Sequence, residues 1–566
     1  MLAVFVSAIG VVVLSMFFAR PTAVIPASAT LVLPVQAPWS EIEQSEVVQQ
    51  FFGTPPTLRS TIDTIRRAKA DPRIKALSIR PSASSALWAQ LQEVHAALVD
   101  FKASGKPVIA FLESAGTGDY YLATAASRIV LMPAGQLDLA GLASYELFFR
   151  GALDKIGVFP DLLHIGDYKS ASNTFTERDF TPEHREMTTA LNKDWYDELV
   201  RAIATGRNVS EEAARTLINN GPYLAEAAAA AGLVDELAYE DQLDDTAPVQ
   251  GTQQITAEQY GRAVVPAVAG RGRIALLYAV GTIASGKSSF DSPTGGIVLG
   301  SETFVEWIRK VRVDPAIDAV VVRVDSPGGS AIASEVIWRE LMLTRDVKPL
   351  VVSMGDVAAS GGYYIAAPAH TIVAQPGTLT GSIGVVTGKF VVQGALDKLG
   401  IGTGAVSNGR LAEIYSPFRP FSDEERSRLS DQMRTTYDLF VKRVADGRTQ
   451  PTTRIDAVAQ GRVWTGRQAR ELGLVDELGG LNDAIRIAAE RARLDPAAPV
   501  SLTVYPAKRT IYEILSSQLG SSSTTTGVFG GLLNRQDVRA VQTAATVMQL
   551  FRRGEPLAIL PNVFVR

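Results

Sequence analysis

The sequence repeats itself at a nearly constant offset, and this repeat limits the possible folds more than any other feature. Residues 117–121 read Thr-Gly-Asp-Tyr-Tyr, and residues 360–364, which lie 243 positions later, read Ser-Gly-Gly-Tyr-Tyr. The hexapeptide Gly-Leu-Val-Asp-Glu-Leu occurs at 232–237 and again at 473–478, an offset of 241. Matches that share one offset indicate a duplicated domain.

Each copy alternates short apolar runs with segments of helical pattern. The buried strands predicted in the second copy are 274–280, 319–324 and 350–354. The helices predicted there are 301–312, 331–344 and 423–445, the last with Ser422 as its N-cap. Strands that alternate with helices are typical of βαβ units and of an α/β fold.

The repeat predicts the domain organisation. We expect two homologous domains at 30–245 and 270–495, joined by a linker at 246–268. Residues 496–566 are expected to form a C-terminal extension, whose role no motif indicates.

The first residues predict a membrane anchor. Residues 2–19 carry no charge, and as a helix they would span about 27 Å, enough for a hydrocarbon core. We therefore expect an N-terminal transmembrane helix at 1–20. A cleaved signal peptide with an Ala-x-Ala site at 27–29 is the alternative. The positive-inside rule does not support export of the remainder, because Arg20 follows the segment and no basic residue precedes it.

Composition excludes several classes of function. The chain has 55 Lys and Arg against 59 Asp and Glu, a net charge of −4, so we expect no nucleic-acid partner. It has no cysteine, which excludes disulfides, thiolate metal sites and a cysteine nucleophile. Only four histidines occur, and we predict neither a metal nor a cofactor.

Two short motifs of the second copy could carry chemistry. Residues 325–330, Asp-Ser-Pro-Gly-Gly-Ser, follow a predicted strand, and their glycines could present amides to an oxyanion or simply form a turn. Ser360 follows another strand and has small neighbours, so it could be a nucleophile or only a helix N-cap. Residues 281–288 match a phosphate-binding pattern, but loop-forming residues follow it, so we expect a loop without bound nucleotide.

A nucleophilic serine needs a base, and two residues are candidates. His370 is close to Ser360 in sequence, but its position at a helix end favours a surface or capping role. Lys169 stands among small and apolar neighbours, although most lysines are simply solvated.

These motifs, with Leu-Thr-Gly-Ser-Ile-Gly at 379–384 and Tyr-Lys-Ser-Ala at 168–171, resemble the signal peptide peptidase A family in its long, two-domain form. The resemblance implies tandem Clp/crotonase-like domains and a membrane-bound serine endopeptidase that degrades signal peptides left after secretion. It also implies a homotetramer in the bacterial inner membrane, with a single-pass anchor and extracytoplasmic catalytic domains.

The resemblance also assigns site residues. It implies Ser360 as the nucleophile, Lys169 as the general base and later acid, and Ser382 as the residue that orients the lysine. The amides of Gly361 and of Gly328 or Gly329 would form the oxyanion hole.

The repeat places the two members of this dyad in different copies. The first copy has Thr117 at the position of Ser360, and the second has Ala412 at the position of Lys169. A Ser–Lys site must therefore be assembled from both domains.

Such a dyad makes a demand on its surroundings. A lysine of ordinary pKa is protonated at neutral pH and cannot accept a proton. Burial must lower the pKa by about 3 units, which corresponds to about 4 kcal/mol against the charged form. An acidic neighbour would oppose this shift, so we expect the side chain of Asp167 to point away from the Lys169 amine.

Two other functions remain open at this stage. A crotonase-like acyl-CoA enzyme would use a similar backbone oxyanion hole without a serine nucleophile, and a catalytically inactive scaffold would keep the repeat without turnover.

Overall fold

The computed structural model describes most of both repeats. The described residues are 24–42, 57–83, 85–243, 250–263, 272–289, 297–495, 500–507, 556–559 and 564–565. The predicted anchor at 1–20 lies outside them and stays a prediction. Over the ranges just given, no helix combines the length and the apolar character that crossing a bilayer requires.

The first repeat is built on a six-stranded parallel sheet. In spatial order its strands are Gln253–Thr256, Ala29–Gln36, Ile74–Ser82, Val108–Leu112, Arg128–Leu131 and Glu236–Leu237. Its helices are Leu58–Ala70, Trp88–Ala103, Thr117–Ala123, Arg150–Ile156, Asn173–Thr176, Pro182–Arg207, Glu211–Asn219, Ala225–Ala230 and Ala257–Arg262. The helix Leu58–Ala70 illustrates why these segments are helical. Thr57 caps its first turn, and Leu58, Ile62 and Ile65 form its buried face.

The second repeat has the same sheet in the same order. Its corresponding strands are Val500–Tyr505, Gly272–Val280, Ala319–Ser326, Leu350–Ala359, Thr371–Ala374 and Glu477–Leu478, with Leu379–Gly381 and Val463–Thr465 added beside the fourth. Its helices are Ser301–Val313, Ala331–Arg345, Gly361–Ala366, Gln393–Lys398, Asp423–Arg448, Thr452–Val458, Gly466–Glu471 and Leu481–Arg491. The α/β fold and its duplication are thus confirmed.

A third sheet joins the two repeats. In order, its strands are Val298–Gly300, Thr282–Ala284, Gly328–Ser330, Leu557–Ile559, Val385–Val391 and Phe159–Ile165. The last strand comes from the first repeat and pairs antiparallel with Val385–Val391 of the second. This pairing brings residues that follow Phe159–Ile165 into contact with the second repeat near Ser360.

Three expectations about elements need correction. Val500–Tyr505, expected in the C-terminal extension at 496–566, is an edge strand of the second repeat's sheet. Residues 246–268, expected as a linker, contribute the edge strand Gln253–Thr256 and the helix Ala257–Arg262 to the first repeat. The strand predicted at 350–354 continues to Ala359. The prediction ended too early because Asp356 interrupts the apolar run with a polar residue. In the structure its carboxylate is buried and accepts the N–H of Gln90 from the other repeat.

A buried charge cluster also holds the repeats together. The guanidinium of Arg323, in the second repeat, lies 2.7 Å from Glu41 and 2.6 Å from Glu93, both in the first. The three side chains are at most 4% exposed. Burial raises the pKa of Glu93, and the positive charge of Arg323 opposes that rise.

Removing the cation alone should destabilise this interface strongly. We expect Arg323→Met to lower the free energy of unfolding by about 3–5 kcal/mol, because it leaves two carboxylates buried without a counter-charge. Urea unfolding of the purified protein, followed by tryptophan fluorescence, measures the effect. The triple variant Arg323→Met, Glu41→Leu, Glu93→Leu is the control and should recover most of the loss; an unchanged midpoint in Arg323→Met would contradict the interpretation.

Candidate active site

Ser360 lies at a sharp turn between a strand and a helix. The strand Leu350–Ala359 ends just before it, and the helix Gly361–Ala366 begins just after it. Its backbone has φ 55° and ψ −115°, a strained conformation for a residue with a side chain. The hydroxyl makes no capping hydrogen bond to the helix, so the simple N-cap interpretation of this serine is wrong.

Lys169 reaches the Ser360 hydroxyl from the other repeat. It follows the strand Phe159–Ile165, and its Nζ lies 2.9 Å from Oγ of Ser360. Both side chains belong to fully buried residues. The structure therefore brings together the two groups that the sequence predicts as a pair, although they are 191 positions apart.

Ser382 completes the surroundings of the amine. Its carbonyl oxygen and its hydroxyl oxygen each lie 3.0 Å from Nζ of Lys169. A neutral amine has two N–H groups and one lone pair. The two N–H groups can donate to the Ser382 oxygens, which leaves the lone pair facing Ser360.

The stem of Lys169 is enclosed by glycine backbone. A Cβ on Gly461 would come within 2.5 Å of the Lys169 Cβ, and one on Gly384 within 3.1 Å of its Cδ. This enclosure removes water from the amine, and burial lowers the Lys169 pKa well below its usual range. Asp167 is exposed, in line with the expected direction of its side chain away from the buried amine.

The glycine turn lies beside the serine. A Cβ on Gly328, whose φ is +100°, would sit 2.7 Å from the Gly361 amide nitrogen. A Cβ on Gly361 would in turn sit 3.1 Å from the Gly329 nitrogen. The backbone of Gly328 and Gly329 is thus packed directly against that of Gly361. The Ser326 hydroxyl supports the turn by donating to the Gly281 carbonyl and accepting the Gly328 N–H.

A segment of the C-terminal extension covers this turn. The strand Leu557–Ile559 pairs antiparallel with Gly328–Ser330, with Ala558 opposite Gly329. Ala558 is fully buried, and its carbonyl oxygen occupies the place that a side chain at position 328 would fill. Leu557 packs into an apolar cluster with Ala171 and Val386. The extension, which the motifs left unexplained, therefore reaches the site.

The equivalent place in the first repeat is closed. Thr117 stands at the position of Ser360, and Asp119 accepts the backbone N–H groups of Gly116 and Ala83. Ala83 lies in the segment that corresponds to the glycine turn, but residues 82–87 contain no glycine. The first repeat thus has no glycine turn here, and Thr117 is the first residue of the helix Thr117–Ala123 instead of preceding it.

The other sequence candidates lie elsewhere. His370 accepts the Leu350 N–H with its Nδ1, at the opposite end of a ten-residue strand from Ser360, roughly 30 Å away. The phosphate-loop pattern at 281–288 contains the short strand Thr282–Ala284. The N-terminus of the helix Ser301–Val313 does contact this loop, but the Glu302 N–H donates to the Gly286 carbonyl and the Gly300 N–H to the Ser288 hydroxyl, so these amides are already paired within the chain.

Sequence reasoning missed three contributors to the site. They are the Ser382 carbonyl, the Ser326 hydroxyl and the strand Leu557–Ile559. Ser326 is part of the Ser-Pro-Gly-Gly motif and could have been noticed there. No local pattern indicates the strand, because its role depends on a partner more than 220 positions away.

Several known proteins are similar to this chain. The chain is 32% identical to the chloroplastic serine protease SPPA of Arabidopsis thaliana over 90% of this chain and 77% of that protein. It is 37% identical to Protease 4 of Salmonella typhi over 77% of this chain and 72% of that protein. Among solved structures, a ClpP1 mutant from Listeria monocytogenes matches 37% of this chain and 94% of its own, with 13% identity and a TM-score of 0.25.

The profile of peptidase family S49 matches the chain twice. The matches cover residues 100–251 and 343–495, one in each repeat, and together more than half of the sequence. The two proteases named above match this chain over most of their own length. The chain therefore belongs to peptidase family S49 and is a serine endopeptidase of the duplicated type.

Proposed function

We propose that this endopeptidase uses a Ser–Lys dyad, with Ser360 as nucleophile and Lys169 as general base, to degrade signal peptides that remain in the membrane after secretion. The observation that carries the proposal is the 2.9 Å contact between Lys169 Nζ and Ser360 Oγ, with both residues fully buried. A desolvated, neutral amine can accept the serine proton, which a solvated lysine cannot do at neutral pH.

The proposed reaction moves one proton between the two residues. Ser360 Oγ attacks the peptide carbonyl carbon while its proton passes to Nζ of Lys169. The amides of Gly361 and Gly329 bind the oxyanion, because the Gly328 N–H is already donated to the Ser326 hydroxyl. Lys169 then returns the proton to the leaving amine, and an acyl-serine remains. Water, deprotonated by the same amine, hydrolyses this ester and restores Ser360.

We propose that the substrate binds as an extended strand beside Gly328–Ser330, in the place that Leu557–Ile559 takes. Backbone pairing of this kind accepts varied sequences, and pockets for side chains set the preference. Ala558 and Leu557 both point into apolar surroundings, so a small residue next to an aliphatic one suits the groove. Signal peptides are rich in such residues.

The proposed location and assembly follow from the resemblance and from the N-terminus. The uncharged residues 2–19 would anchor the enzyme by a single helix in a bacterial inner membrane, with the catalytic repeats outside the cytoplasm. Its apolar substrates would then lie in the same bilayer. We propose a homotetramer as the assembled form.

Removing either member of the dyad should abolish turnover. We expect Ser360→Ala and Lys169→Met each to lower kcat on a chromogenic peptide by at least about 10⁴-fold. A fluorophosphonate probe should label the wild type at Ser360 and should not label Ser360→Ala. Thr117→Ala, at the equivalent position of the first repeat, is the matched control and should keep wild-type activity. Activity in either dyad variant would contradict the assignment.

The pH dependence of kcat/KM should follow the ionisation of Lys169. Because burial lowers the pKa of Lys169, kcat/KM should rise about tenfold per pH unit on the acid side and level off well below pH 10.5. The unfolded chain binds the proton more tightly, so this group's contribution to the free energy of unfolding rises with pH. Lys169→Met should therefore be at least as stable as the wild type at neutral pH. A flat rate profile from pH 5 to 10 would argue against a lysine base.

Removal of the tail strand should expose the groove. A tethered segment competes at an effective concentration in the millimolar range, so deletion of residues 556–566 should raise kcat/KM for a short peptide by about tenfold or more, mainly through KM. Deletion of 560–566, which keeps the whole strand Leu557–Ile559, is the control. Equal activity of the two deletions would show that substrates bind elsewhere.

A further inference from the structure

A short loop of the second repeat encloses the lysine of the site. The backbone at residues 460–462, the lysine wall, lies against Lys169. The carbonyl oxygen of its first residue accepts the Tyr168 N–H at 2.9 Å, and that of its last residue accepts the Ser382 N–H at 2.7 Å. Gly461, between them, packs directly on the stem of Lys169. The position of this wall therefore decides how closely the stem is enclosed and where the acceptors of the amine lie.

The backbone of the lysine wall adopts a conformation that needs support. Gln460 has a φ of 50° and Gly461 a φ of 76°, so two successive residues lie in the left-handed region. The Gln460 side chain donates to the Tyr437 hydroxyl at 2.9 Å and to the Asp456 carboxylate at 2.8 Å. These contacts fix the first residue of the wall within the second repeat.

The last residue of the wall, Arg462, is held across the boundary between the repeats. Its guanidinium lies 4.5 Å from the centroid of the Tyr168 ring and 4.5 Å from that of the Trp464 ring. It also donates to the Glu186 carboxylate at 2.7 Å, and that carboxylate accepts the Tyr168 hydroxyl at 3.0 Å. Tyr168 and Glu186 belong to the first repeat. A planar guanidinium can stack on rings and still donate hydrogen bonds in its own plane, which an ammonium cannot do.

This one arginine reaches both sides of the amine. Its side chain contacts the ring of Tyr168, the residue immediately before Lys169, and its carbonyl oxygen holds the N–H of Ser382. Ser382 supplies two oxygens within 3.0 Å of the lysine Nζ. A movement of Arg462 would therefore disturb the stem and the acceptors together.

We propose that Arg462 is a positioning residue of this peptidase, which clamps the lysine wall onto Tyr168 and Glu186 and thereby keeps water away from the Lys169 amine. The inference rests on the proposed Ser–Lys dyad, because the wall affects the rate only if that amine accepts the serine proton. Arg462 acts through the wall and not on the reacting atoms.

The pH profile of Arg462→Ala tests the clamp. If the wall loosens and water reaches the amine, the pKa of Lys169 rises toward its usual value. We expect the acid limb of kcat/KM to move to higher pH by about one unit or more, which is about a tenfold loss on that limb. On the alkaline plateau, activity should return to within about threefold of the wild type. A loss of equal size at every pH would indicate a merely structural role and would overturn the proposal.

The rate at which the fluorophosphonate probe labels Ser360 gives a second readout that needs no peptide binding. In Arg462→Ala the acid limb of this rate should move by the same amount as that of kcat/KM. A shift in kcat/KM without a shift in the labelling rate would mean that Arg462 acts on substrate binding, and the clamp would be wrong.

Two further variants separate stacking from charge. Arg462→Lys keeps the positive charge but lacks the planar face, so we expect nearly the same shift as in Arg462→Ala. A wild-type acid limb in Arg462→Lys would show that charge alone acts, contrary to the proposal. Glu186→Gln changes a side chain that is 56% exposed, so folding is not at risk, and it should give a smaller shift in the same direction.

A matched control removes a similar contact elsewhere. The guanidinium of Arg215 lies over the Tyr196 ring and 2.8 Å from Asp197, all within the first repeat. Arg215→Ala should leave both pH profiles unchanged. If Arg215→Ala shifted the acid limb as Arg462→Ala does, the effect would not be specific to the wall and the proposal would fail.

The wild-type profile separates this inference from the proposed function. A wild-type profile that is flat from pH 5 to 10 would remove the dyad and the clamp with it. A wild-type profile that rises with pH, together with an unshifted acid limb in Arg462→Ala, would overturn the clamp and leave the dyad intact.

Discussion

The proposed chemistry depends on keeping one lysine amine neutral inside the protein. A charged ammonium in that position would cost several kcal/mol, and burial is what lowers the pKa of Lys169. The glycines around its stem exclude water, and the two oxygens of Ser382 supply acceptors without a negative charge. A carboxylate in their place would hold the proton on the amine. The proposed chemistry therefore needs uncharged acceptors beside the amine as well as the amine itself.

This environment exists because two imperfect copies of one domain share a sheet. The strand Phe159–Ile165 carries the lysine side of the site across to the second repeat, while the second repeat provides the serine and the glycine turn. Each copy lacks the residue that the other supplies: Thr117 stands at the position of Ser360, and Ala412 at the position of Lys169. The buried cluster of Arg323, Glu41 and Glu93 then holds the two copies in a fixed relation, which a hydrogen bond of 2.9 Å across their boundary requires.

Much of the fold was predictable, since apolar periodicity and caps are local signals. The helix that begins after Ser422 starts where its capping box predicts, and the buried strands lie where the apolar runs are. Errors arose where polar residues are satisfied by distant partners, as Asp356 is by Gln90. The edge strand Gln253–Thr256 was missed for a similar reason: only its neighbour in the sheet distinguishes it from a linker.

The sequence establishes the duplication and the small residues around Ser360, and it places the two members of the proposed dyad in different copies, because each of these features is visible as a pattern along the chain. It does not establish that the Lys169 amine is dry, that Ser360 adopts its strained turn or that the tail strand lies over Gly328. Those properties depend on which surfaces exclude water and which backbone groups pair, and both arise from contacts between segments hundreds of residues apart. The desolvation of the Lys169 amine depends on the whole folded structure, so no short stretch of sequence indicates it.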